Sequence, residues 1–82
     1  MKRYFFDVRD GDNFTGDDEG LELGTLLEVE LEAVLSLMDL NRTRLTRHER
    51  SPLPPCAVEV RDKSGPVLLV SLSVSIVPTK LN

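Results

Sequence analysis

The sequence predicts an α+β domain in which an antiparallel sheet of four to five strands packs on one long helix, in the order β-β-(β)-α-β-β. Three observations carry that prediction. Only one stretch, Thr25 to about His48, is long enough and periodic enough at three and four residues to make a full-length helix. The segments on either side alternate with period two and are punctuated by glycine turns. Between the helix and the later strands, Pro52, Pro54 and Pro55 bar helix continuation and favour extended backbone. The 82 residues fit one small domain, 1–82, with a correspondingly small core.

Lys2 to Arg9 opens the chain as a strand, with Tyr4, Phe6 and Val8 on one face and Arg3, Phe5, Asp7 and Arg9 on the other. Tyr4 and Phe6 are expected in the core. Phe5 points the other way and needs its own cover, from Phe14 or from another chain. Asp10-Gly11 is a hairpin signal, because Gly11 accepts the positive φ of a tight turn. A short second strand through Phe14, an acidic loop to Gly20 and a third strand over Leu21 to Leu23 follow.

Thr25-Leu26-Leu27-Glu28 has the form of a capping box, so the helix starts there. Its glutamates lie early and its arginines late, the order that the helix dipole favours. At 100° per residue it carries two apolar stripes. Leu27, Leu31, Val34, Leu35, Met38 and Leu45 form the first, and Leu26, Val29, Ala33, Leu37 and Leu40 the second. One sheet covers one side of a helix, so the expectation is that the sheet takes the first stripe and leaves the second for a partner.

Cys56 to Arg61 alternates again as a strand, Asp62 to Gly65 makes a turn, and Val67 to Val77 is the last strand, outrunning its hairpin partner. Its overhang, Ser73 to Val77, calls for hydrogen bonds from the first strand or from a neighbouring protomer. The string Val8-Arg9-Asp10 recurs as Val60-Arg61-Asp62, each time entering a turn. Turn chemistry explains the recurrence more simply than duplication does.

The net charge of −4 is uneven: residues 1–32 sum to −7, residues 33–50 to +2 and residues 51–82 to +1. An acidic chain argues against non-specific nucleic-acid binding. A lone cysteine, Cys56, and an apolar opening too short for a signal peptide point to the cytoplasm. No run is long and apolar enough for a membrane-spanning helix.

The opening Arg3-Tyr4-Phe5-Phe6-Asp7-Val8-Arg9-Asp10-Gly11-Asp12, the segment Asp17 to Leu23, one helix and the hairpin from Val58 to Leu68 resemble a known group. They are similar to the short bacterial domain-of-unknown-function proteins, common in rhizobia, that begin with an Arg-Tyr-Phe-Phe motif. The resemblance implies membership and no chemistry. Gly24-Thr25 stands where such proteins often carry Pro-Asp. A second, topological likeness is to small antitoxin domains of the HicB kind, with no diagnostic residues.

No catalytic, metal or cofactor site is expected. The acidic residues from Asp7 to Glu22 fail the calcium-loop pattern, which would need a glycine at Thr15 and a glutamate at Leu21. His48 and Cys56 lack a third orienting group for nucleophilic chemistry. Arg44, Arg47, His48 and Arg50 form a candidate basic patch, although basic residues are also what a helix C-terminus selects. The expected function is therefore protein contact, most simply as a homodimer, through a candidate surface of Phe5, Leu26, Val29, Ala33, Leu37 and Leu40. An antitoxin-like or nucleic-acid-linked regulator using the cluster from Arg42 to Arg50 is the alternative.

Overall fold

The computed structural model describes residues 1–46, 54–75 and 77–80. It has strands β1 (Lys2–Asp10), β2 (Asn13–Thr15) and β3 (Leu21–Leu23), helix α1 (Leu26–Thr46), and strands β4 (Cys56–Asp62) and β5 (Gly65–Leu72). The five strands form one antiparallel sheet in the order β2-β1-β4-β5, with β3 also pairing β1. The α+β class and the element order are those the sequence predicts.

The Asp10-Gly11 hairpin forms as expected, with Gly11 at a φ of 62° and Asp10 opposite Asn13. Two short strands share one edge of β1 end to end: β3 pairs Lys2 to Tyr4, and β2 pairs Val8 to Asp10. Between them the Phe6 amide donates to Asp17 Oδ2 at 3.1 Å, so a side chain supplies the ladder bond that neither strand reaches. Asp17 Oδ1 also accepts from the amides of Glu19 and Gly20. Asp17 thereby ties the acidic loop to the strand, while Asp18 and Glu19 stay exposed.

The capping box at the start of α1 forms with one variation. Glu28 N donates to Thr25 Oγ1 at 3.1 Å, while Glu28 Oε1 accepts from that hydroxyl and from the Gly24 amide. The helix is described to Thr46, and positions 47 and 48 of the predicted span lie outside the described residues.

Strand β5 ends earlier than the sequence pattern predicts. Leu72 pairs with Cys56, the first residue of β4, and beyond it no β4 backbone is left to continue the ladder. Ser73 to Ser75 lie outside the sheet despite their alternation.

The core lies between α1 and the sheet face built from Tyr4, Cys56, Val58 and Val60, with Phe6, Val8, Leu68 and Val70 packed around it. Directly opposite residues share a face: Phe6 with Val60, Val8 with Val58, and Val70 with Val58. The helix lies over β4 and β5 and touches β3.

Candidate functional site

The helix buries the stripe opposite to the one expected. Val29, Ala33 and Leu37 are in the core and Leu40 packs against it, so three of the candidate contact residues are wholly unavailable to a partner. Leu26 alone of that stripe is exposed, at the helix start. In its place Leu27, Leu31, Val34, Leu35, Met38 and Leu45 face outward, each between 41% and 63% exposed.

The reason is volume. The helix lies over β4, whose buried Cys56, Val58 and Val60 form the middle of the sheet face, and a helix face with Ala33 and Val29 at its centre packs closely against them. A leucine-rich face would hold the helix further off. The same buried face runs on, at 100° per residue, into two polar residues, Asn41 and Arg44. Asn41 Nδ2 donates to the Leu37 carbonyl at 2.9 Å and to Cys56 Sγ at 3.0 Å. Arg44, 1% exposed, pairs with Asp10 at 3.3 Å, reaches Asn41 Oδ1 and donates to the Pro54 carbonyl.

Arg44 therefore does not belong to a basic patch. Its guanidinium locks the last helical turns to the end of β1 and the approach to β4, as the fixed fork of an arginine permits. Arg47, His48 and Arg50, the rest of that candidate patch, lie outside the described residues. Arg42 is exposed.

Phe5 is half-buried and has its own cover. The Arg61 guanidinium lies 4.5 Å from the centre of its ring, and Gly20 packs at the ring's edge. Phe14 instead lies under Arg9, at 4.9 Å. Phe5 is thus partly covered within its own chain, while Phe14 remains 51% exposed.

These contacts belong to a repeated arrangement on the sheet face away from the helix. Asp7-Val8-Arg9 on β1 runs antiparallel to Glu59-Val60-Arg61 on β4, with Asp7 opposite Glu59. Each arginine reaches diagonally to the other strand's acid: Arg61 Nε to Asp7 Oδ2 at 2.8 Å, and Arg9 Nε to Glu59 Oε2 at 2.9 Å. Each also covers an aromatic ring. The recurring Val-Arg-Asp string thus marks strand registration as well as turn entry. The acids that follow are paired too, Asp10 with Arg44 and Asp62 with Lys2 at 3.0 Å.

Asp7 is buried on this face because the acidic loop covers it. Its Oδ1 accepts from the Asp17 amide at 2.8 Å, and Arg61 donates to the Asp17 carbonyl at 2.9 Å. Burial alone would raise the Asp17 carboxyl pKa. The amides of Phe6, Gly20 and Glu19, with the Arg61 charge, outweigh that and hold it below the ordinary value. Lys2 is held above its ordinary pKa by the hydrogen bond to Asp62, and Asp62 below its own by the same bond.

Among the described residues no group of three or more His, Cys, Asp or Glu side chains is arranged to hold a metal ion, and no helix is long and apolar enough to cross a membrane. A shallow hollow of about 350 Å³ between Arg61, Glu59, Pro66 and Leu69 opens on the outer sheet face, its polar groups already engaged with one another. Among the described residues, the stripe of α1 is the largest run of exposed apolar side chains on one element.

Neither the curated proteins nor the solved structures hold a match to this chain. A family described as a domain of unknown function, DUF6894, matches residues 3–73, from the Arg-Tyr-Phe-Phe opening to the end of β5. With that match spanning nearly all of the folded chain, the protein belongs to the DUF6894 family.

Proposed function

We propose that this is a non-enzymatic protein-interaction domain of the cytoplasm that acts as a homodimer, two copies meeting through the outward stripe of α1. The observation that carries the reading is the stripe itself. Six large apolar side chains on one side of a helix form a patch on the order of 500 Å², the upper end of what monomers expose.

The spacing supports a helix partner. Leu27, Leu31, Val34 and Met38 follow one another at four, three and four residues, and Leu45 continues the row seven further on. That is the seam of a helix pair rather than the broader face that packs on a sheet. The missing member of the row is Asn41, which the core has claimed. The patch alone would bury somewhat less than the roughly 800 Å² per partner of a standard interface, so the dimer is expected in the micromolar range. Cytoplasmic placement is supported by a lone buried thiol that is bonded to Asn41.

Sedimentation velocity between about 1 and 200 μM tests the proposal. A reversible monomer-dimer equilibrium is expected, and Leu31→Glu or Met38→Glu should abolish it while leaving the circular dichroism spectrum and melting temperature close to wild type. A wild-type chain that stays monomeric at 200 μM would overturn the reading. So would a dimer that both substitutions leave intact.

A further inference from the structure

The order of charges along the same stripe fixes how two copies would meet, and this inference rests on the homodimer reading above. Glu28, Leu35 and Arg42 stand seven residues apart on one flank of α1, at about 20° per step from a straight row. Glu28 and Arg42 are both exposed, and each lies about 10 Å along the axis from Leu35. The Glu28 carboxylate is already oriented, since its Oε1 is held by Thr25 Oγ1 and the Gly24 amide.

We infer that the two helices pair antiparallel about a two-fold axis beside Leu35, with Arg42 of each copy against the partner's Glu28. In an antiparallel pair each flank meets the same flank of the other helix. Residues whose numbers sum to about 70 to 72 then face one another. Arg42 meets the partner's Glu28 twice over, Val34 meets the partner's Met38, and Leu27 meets the partner's Leu45. A parallel pair would instead set this flank of each copy against the opposite flank of its partner, so that Glu28 and Arg42 of the two copies do not meet. The helix dipoles add to the preference, because they oppose one another when the helices run antiparallel.

Charge exchange separates the two arrangements. Arg42→Glu alone and Glu28→Arg alone should each weaken dimerisation about tenfold at low salt, since each turns two attractions into two repulsions. The double variant Glu28→Arg with Arg42→Glu should return to within about threefold of wild type, although it lacks the capping box as the Glu28→Arg variant does. Each loss should shrink as salt is raised. In a parallel dimer Glu28 and Arg42 of the two copies do not meet, so an unchanged dissociation constant in both single variants would overturn the orientation and leave the dimer standing. Single variants that weaken it with no rescue in the double variant would also overturn it. A monomeric wild type removes both readings together.

Discussion

Asp7 and Glu59 stand directly opposite one another on β1 and β4, two carboxylates in a position where like charges repel, and each is met by the arginine of the other strand. The two ion pairs are similar in length and unequal in surroundings. The Asp7 side chain is 8% exposed, against 35% for Glu59.

That inequality sets the first expectation. Arg61→Ala should destabilise the fold by about 2–3 kcal/mol, because it leaves a buried carboxylate uncompensated and uncovers Phe5. Arg9→Ala should cost less than about 1 kcal/mol, as exposed pairs do. Urea unfolding of both variants measures the difference, and equal losses would show that Asp7 is as well solvated as Glu59.

Arg44→Ala removes the guanidinium that joins Asp10, Asn41 and the Pro54 carbonyl in the core. A loss of about 3 kcal/mol is expected, well beyond what removing the exposed Arg42 would cost. Thermal melts of Arg44→Ala and Arg42→Ala side by side test it. Indistinguishable melting temperatures would return Arg44 to the surface.

The Asp17 carboxyl titrates below its ordinary value of 3.8, so its contribution to stability is fully present above that value and is lost as pH falls through the lower, folded one. As far as this group is concerned, the melting temperature should therefore hold from neutrality down to about pH 5 and fall as the pH drops below 3.8. Asp17→Asn should be less stable at neutral pH and show a shallower acid limb. The amide keeps one acceptor oxygen where the carboxylate used two.

At Gly20 the φ is +73°, and an added Cβ would sit 2.9 Å from the Tyr4 carbonyl oxygen and 3.0 Å from the Phe5 ring. Gly20→Ala should cost more than about 2 kcal/mol, from backbone strain and displacement of β1 together. At Gly16, where the nearest atom is 3.7 Å away, alanine should be nearly neutral. Comparable losses at the two positions would mean that the loop does not close over Phe5.

The backbone of this domain was legible from local chemistry, and its surfaces were not. Thr25 and Glu28 announce the helix start, Asp10-Gly11 the hairpin, and the alternation of Tyr4, Phe6 and Val8 the central strand, because each signal acts within a few residues. The choice between two apolar stripes depends on the space above the sheet, which no residue of the helix encodes alone. Counting leucines favours the stripe that the fold leaves outside. A better signal was present in Asn41 and Arg44, which continue the buried stripe and have Cys56 and Asp10 to meet. Reading it requires knowing that β1 and β4 are neighbours. The role of Asp17 was hidden for the same reason: an acid in a glycine-rich loop looks solvated until the gap beside Phe6 is known to need an acceptor.

The pairing of β1 with β4 also sets an order of events. These two strands form the middle of the sheet, yet the whole helix separates them in the chain, so each contact between them closes a loop of roughly fifty residues. During synthesis the first half emerges with one edge of β1 open and with Val29, Ala33 and Leu37 lacking the β4 side chains that complete their core, until Cys56–Asp62 leaves the ribosome. Folding of this small domain is therefore governed by a late, long-range closure, and its slow step should be the docking of β4 rather than the growth of the helix.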